Sequence, residues 1–319
     1  MSSFKNVHSL SDSAAQEIVR DNIVAFVDWS FLTIGSYLNI NIPTSGNYGG
    51  NVSALRRVND PRYTTGVVWE GYHKNWVWES GVGFDPEPIA ISGIYINNRF
   101  TTTGFYIDYP NGRVILNNPL PANSGVSLNY SHKYINVIRS EDVPFLREGH
   151  TNSFRIDDSA YVSNSGIWNN ITQKRIELPC IAIETVKNLY NRPYQLGGGF
   201  YSEGDVILHV ITEDCGFADR IGNILVNQKD KVLLLFDSNY IKNNSYYPLD
   251  YRGSIAQNAK TYPQMIAWSG DGGYRTSSNI IEYKAYIIET RGQGTSEISQ
   301  GLYHHPVRWQ IQSILPTSF

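Results

Sequence analysis

Val206-Ile-Leu-His-Val-Ile-Thr-Glu-Asp-Cys-Gly-Phe-Ala-Asp-Arg-Ile-Gly-Asn-Ile-Leu-Val-Asn-Gln-Lys-Asp-Lys-Val-Leu-Leu-Leu-Phe-Asp237 reads as strand, helix, strand. Val206, Leu208 and Val210 alternate with Ile207 and Ile211 in a short apolar run, as in a strand buried on both faces. Asp214 offers an N-cap carboxylate. Phe217, Ile221, Ile224 and Leu225 then form one helical stripe, with Asp219, Arg220 and Asn223 on the other side. Lys231 to Phe236 reads as a second buried strand. The unit carries no Gly-rich phosphate turn, nucleophile elbow or metal-ligand spacing, which points toward scaffolding or assembly and away from catalysis.

Composition supports a β-rich protein. The 319 residues suffice for two domains, at roughly 100–200 residues each. Tyr (22) and Trp (7) far outnumber Met (2), a profile suited to wet, aromatic interaction surfaces. The net charge of −3 gives no bulk attraction to nucleic acid or anionic membranes, and Arg56-Arg57 and Lys174-Arg175 are isolated basic pairs. Cys180 and Cys215 make no disulfide framework and read as buried free thiols. A polar Ser2–Ser13 lacks the features of a secretory signal, and no apolar run reaches the ~20 residues of a spanning helix, so folding in a reducing cytoplasm is expected. The sequons at Asn51, Asn129, Asn170 and Asn243 are then chance matches.

Five segments are expected. Residues 1–45 hold an amphipathic helix and lead-in: Ser13 and Gln16 form a capping-box pair, Ile18, Val19, Ile23, Phe26, Val27, Phe31 and Ile34 a stripe, and Gly35 an αL stop. Glu17, Asp21 and Asp28 on its polar side argue against a membrane surface. Residues 46–83 form a Trp-rich β element in which Trp69, Trp76 and Trp78 either pack against neighbours or stack on a sugar. Residues 84–138 form a small β-sandwich, with strands Ile89–Ile91, Gly93–Ile96, Arg99–Thr101, Phe105–Ile107, Arg113–Leu116 and Val126–Tyr134. Asn97-Asn98 and Gly112 lie among its turn signals. Residues 139–165 read as a linker or arm.

Residues 166–319 read as an α+β assembly domain. Pro179 marks an edge strand or a strand start, Gly197-Gly-Gly199 a hairpin turn, and Ile280–Thr290 and Val307–Leu315 late strands. The polar excursion Asp237–Gly273 has the length of a functional or partner-ordered loop. Asp237, Tyr246, Tyr247 and Asp271 within it join the three tryptophans as candidate interaction residues.

Known chemistry finds few footholds. Strand neighbours His304 and His305 point to opposite faces and cannot easily chelate one metal. His8, His73, His132, His150 and His209 occur singly. Ser269–Gly273 is a Gly-rich turn rather than a calcium site. Glu203, Asp205, Glu213 and Asp214 could supply a glycosidase pair, though surface acids of this kind are common. No catalytic, cofactor or metal residues are assigned.

Gly93-Ile-Tyr-Ile-Asn-Asn-Arg-Phe-Thr-Thr, Ile107-Asp-Tyr-Pro-Asn-Gly-Arg-Val-Ile-Leu116 and Tyr130-Ser-His-Lys-Tyr-Ile-Asn-Val137 resemble virion structural proteins of contractile-tailed bacteriophages, notably those of marine and cyanobacterial hosts. Leu178–Glu184, Gln195–Gly199 and the strand–helix–strand unit continue the resemblance, which spans roughly Phe26 to Asp237. The order of C-terminal elements is similar to that of tail-terminator and tail-completion proteins, with an Ig-like β module inserted ahead of it. The resemblance implies a mainly β fold with an α+β part and no enzymatic activity. It also implies a homo-oligomeric ring, commonly six-fold, at the neck or head-proximal tail end, contacting neck, tail-tube or sheath proteins. DNA would pass without specific binding, along a wall for which Glu203, Asp205 and Asp214 are the candidates. The location would be the virion, assembled in the host bacterial cytoplasm. A carbohydrate- or receptor-binding tail or baseplate protein is the alternative.

Overall fold

The computed structural model describes residues 15–42, 52–140, 143, 177–185, 190–195, 198–236, 248–266 and 284–315. It is mainly β with an N-terminal helix. Two compact units emerge, both discontinuous in sequence. A Trp-rich unit comprises Asp28–Ile135 and Asn239–Gln264; a long-sheet unit comprises Met1–Val27, Asn136–Ser238 and Met265–Phe319.

Helix α1 (Ala15–Thr33) contributes to both. Ile23, Val27 and Phe31 recur every four residues and are buried together with Leu32. The helix stops at Gly35 (φ +85°), whose N–H donates to Leu32 O at 2.9 Å while Ser36 N donates to Phe31 O at 3.0 Å. Two of its acids are ion-paired: Asp21 meets Arg139 at 2.9 Å, and Asp28 meets Lys133 at 2.5 Å. Ser13 lies outside the described residues, whereas Ile34, at the end of the stripe, is exposed.

In the Trp-rich unit, β1 (Tyr37–Ile40), β2 (Ala54–Val58), β3 (Val68–Glu70), β4 (Ile94–Ile96), β5 (Arg99–Thr101), β6 (Phe105–Asp108), β7 (Arg113–Leu116), β8 (Val126–Ser127) and β9 (Tyr130–Lys133) are short. Seven follow the order β5-β4-β8-β2-β3-β7-β6, antiparallel throughout, and β1 pairs with β9. The central strands are packed on both faces. Trp69 and Val114 enter a core with Trp76, Ile94, Leu128 and Tyr130, while Val68 and Ile115 meet Val67, Val58, Tyr63 and Tyr106 in a second cluster. Asn97 (φ 48°) and Asn98 (φ 65°) turn β4 into β5.

Four expectations are corrected here. The 46–83 element is not separate from the 84–138 module, because β2 and β3 sit at the middle of the shared sheet. Ile89–Ile91 is not a strand, and Val126–Tyr134 splits into β8 and β9, which join different sheets. Within Asp237–Gly273, residues 248–256 close against the unit: Ser254 Oγ donates to Ile107 O at 2.6 Å, Tyr109 N donates to Gly253 O at 3.0 Å, and Leu249 packs on the core. Those bonds occupy backbone groups at and just after β6, an edge strand.

The long-sheet unit contains β10 (Asn136–Arg139), β11 (Cys180–Thr185), β12 (Tyr190–Gln195), β13 (Gly198–Thr212), helix α2 (Cys215–Val226), β14 (Val232–Leu234), β15 (Lys284–Gly292), β16 (Ser296–Ser299) and β17 (Leu302–Leu315). A short helix α3 (Tyr262–Ile266) crosses the unit boundary. The sheet runs β10-β11-β13-β17-β15-β14, with β12 on β13 and β16 on β17. Among the described residues, β10–β11 is the one parallel pair in this sheet. Pro179 precedes β11, which has neighbours on both sides, so it marks a strand start and not an edge. Gln195 pairs with Gly198 across the expected hairpin.

The strand–helix–strand reading holds, with changes in detail. Asp214 accepts from Phe217 N at 2.6 Å as the α2 N-cap. The helix buries Ala218, Ile221, Gly222 and Leu225, while Phe217 is half-buried and Ile224 exposed. α2 lies across β13, β17 and β15. The second strand is only three residues long and occupies the sheet edge, with Val232 exposed. Cys180 is buried but Cys215 is exposed, against the expectation for that thiol.

Candidate functional site on the long sheet

Side chains alternate across β13 and β17, giving the sheet two different faces. One face carries Val206, Leu208 and Val210 with Val307, Trp309 and Ile311, all buried. α2 closes it: Trp309 Nε1 donates to Leu225 O at 3.0 Å and Thr290 Oγ1 donates to Val226 O at 2.6 Å. Those bonds satisfy carbonyls of the last helical turn, which have no intrahelical partner.

The opposite face begins apolar at Cys180, Ala182, Ile211 and Leu302 and then turns polar. At the boundary Glu184, His209 and His304, from β11, β13 and β17, form a row. His209 Nε2 lies 2.9 Å from Glu184 Oε2, and His209 Nδ1 lies 2.9 Å from His304 Nε2. The imidazoles are nearly parallel, 17° apart with centroids separated by 5.1 Å. Burial, then the charges of His209 and His305, push His304 down to about 4, so its ring is neutral at neutral pH. Beyond the row, Arg308 pairs with Asp205 at 2.5 Å, Arg291 pairs with Glu289 at 2.7 Å, and Gln310 donates to Glu203.

His305 faces the other way, as strand alternation requires. Its Nδ1 meets Thr295 Oγ1 at 2.9 Å and Asp219 Oδ1 at 3.2 Å, and Thr295 also donates to Asp219. These hydrogen bonds, that of Thr295 foremost, hold the Asp219 carboxyl below the usual carboxylate range. Although Thr, His and Asp meet here, hydroxyl and carboxylate share one ring nitrogen. Nε2 instead faces Gly222, where an added Cβ would lie 2.5 Å away. A nucleophile relay needs the two partners on opposite nitrogens.

The residues singled out from the sequence separate. Trp69 and Trp76 are 3% and 0% exposed, which leaves no ring face for a sugar; Trp78 is half-buried against the same core. Asp237, Tyr246, Tyr247 and Asp271, with the Ser269–Gly273 turn, lie outside the described residues. Of the four acids considered as a pair, Asp205 is bound to Arg308, Asp214 caps α2, Glu213 is exposed, and Glu203 accepts from Gln310. The three wall candidates therefore do not form a bare acidic row. The sequence reading missed the Glu184–His209–His304 row, because its members lie far apart in sequence and only strand register joins them.

It also missed a row of Tyr and Arg in the Trp-rich unit. Arg62 sits 5.8 Å from the Tyr63 ring centroid, and Arg252 sits 5.4 Å from that of Tyr106 and 5.1 Å from that of Tyr251. Tyr106 and Tyr63 share a hydroxyl hydrogen bond of 3.0 Å, and Tyr251 is 88% exposed. Among the described residues no helix is long and apolar enough to cross a membrane. No family model, curated protein or solved structure matches this chain.

Proposed function

We propose that this chain is a structural subunit of a tailed-phage virion. It forms a ring at the neck or head-proximal end of the tail and joins head to tail, as a tail terminator or neck connector. The reading starts from the resemblance of 93–137 and 178–237 to phage structural proteins. The observation that carries it furthest is the two-faced long sheet. One face is sealed by α2 and an apolar layer, and the other presents paired charges and imidazoles suited to contact between subunits.

In this reading the long-sheet unit is the tail-terminator-like α+β domain and the Trp-rich unit is an Ig-like module. The exposed Tyr–Arg row is a docking patch for a neck, tail-tube or sheath protein, since Tyr and Arg dominate interface hot spots. The ring is a six-fold homo-oligomer in the virion, assembled in the host bacterial cytoplasm. DNA passes through it without specific binding, consistent with a net charge of −3.

Immunogold labelling of virions with antibody to the purified chain tests the reading. Label at the neck is expected. Label at fibre tips would overturn it in favour of a receptor- or carbohydrate-binding tail protein.

A further inference from the structure

We propose that His209 and His304 form a site for one late first-row divalent ion of the Zn²⁺, Ni²⁺ and Cu²⁺ class, with Glu184 orienting His209 behind it. Borderline metals of this class favour imidazole nitrogen. His209 Nδ1 and His304 Nε2 are 2.9 Å apart on neighbouring strands. Two nitrogens held at about 2.0–2.1 Å around a tetrahedral ion lie about 3.3 Å apart, so the rings must part by a few tenths of an ångström and tilt to turn both lone pairs toward the ion. In the metal-free protein that gap is bridged by one proton. That proton sits on His304 Nε2; when the ion takes its place the proton moves to His304 Nδ1, so the ring stays neutral and its Nε2 lone pair is free to ligate.

Glu184 makes the pair more than a cross-strand contact. Its Oε2 accepts from His209 Nε2–H at 2.9 Å, which leaves the Nδ1 lone pair aimed at His304. A carboxylate on the far nitrogen of a ligating imidazole fixes the tautomer and raises its basicity. Ile211 and Leu302 provide an apolar floor on the same face, which limits water on that side. Glu184 retains 24% side-chain exposure, leaving the outer side open for water to complete the coordination. His305 takes no part, being turned to Asp219 and Thr295 on the opposite face.

The site is independent of the assembly reading: a chain labelled elsewhere on the virion would still bind the ion. The test uses the full chain after chelator treatment, titrated with ZnCl₂ by calorimetry and with NiCl₂ by absorbance. His304→Gln keeps a hydrogen-bonding group beside His209 but removes the second imidazole. Glu184→Gln keeps both ligands and removes the orienting charge. We expect wild type to bind one equivalent that H304Q does not, and E184Q to bind it about 10–100-fold more weakly. Zinc should raise the melting temperature of wild type and not that of H304Q. Equal stoichiometry and affinity in wild type and H304Q would overturn the proposal, as would the absence of binding to wild type.

Discussion

Cys180 and Cys215 show how burial, not residue type, sets reactivity. Cys180 is 1% exposed in β11, and burial pushes its thiol up to about 12, so no thiolate forms at neutral pH. Cys215 opens α2 and is exposed. A thiol reagent at pH 8 should therefore label one cysteine in native protein and two in denaturant, and Cys215→Ser should abolish the native signal. Two fast native thiols would contradict the packing of β11. Lys133 presents a sharper case. Its buried ammonium lies 2.5 Å from Asp28 and 2.6 Å from Glu79, and those two carboxylates outweigh its burial to raise its pKa. Lys133→Met would strand Glu79, itself buried, at a cost of about 3–5 kcal/mol. Adding Glu79→Leu should recover much of that loss. Denaturant midpoints of both variants measure it, and a double variant no better than the single would refute the pairing argument.

At the scale of an element, α2 is positioned by a glycine. Gly222 lies over the His305 ring, and Gly292 approaches the same ring at 3.1 Å from a built Cβ. Alanine is favoured over glycine by about 1 kcal/mol in a helix interior. Gly222→Ala is nevertheless expected to destabilise by about 1–3 kcal/mol, because the ring is held by Thr295 and Asp219 and cannot yield. Combining it with His305→Ser should remove the penalty. A stabilised G222A in chemical denaturation would mean that propensity outweighs packing. The element-level reading of the sequence worked best here: the Asp214 cap and the Ile221 and Leu225 anchors are local and periodic. It failed at Ile224, since the stripe is narrower than the run of apolar residues and the sheet covers only the side bearing Ala218 and Gly222.

For the whole molecule, chain order and spatial order diverge. The long sheet draws β10 from residues ahead of the 166–319 segment, and α1 reaches it through Asn22. That side chain donates to Phe236 O and accepts from Phe236 N, each at 2.7 Å. A Gly166–Phe319 fragment lacks both, so it should aggregate and bind apolar dyes rather than fold, because β11 loses its parallel partner and Phe236 an amide ligand. A monomeric fragment with a cooperative melt would show that β13, β15 and β17 suffice. The sequence by itself determined what is local: the α1 and α2 periodicities, the Asn97-Asn98 turn, the Asp214 cap, the hairpin into β13 and the β-rich character. Each depends on residues within a few positions of one another, where alternation and capping act. Only the tertiary structure decided that Trp69 and Trp76 are core, that residues 248–256 close on β6, that two strands separate β14 from β13, and that Glu184, His209 and His304 meet. Those outcomes depend on strand register and burial across many residues, and a side-chain period of two says which face a residue takes but not which strand will lie beside it.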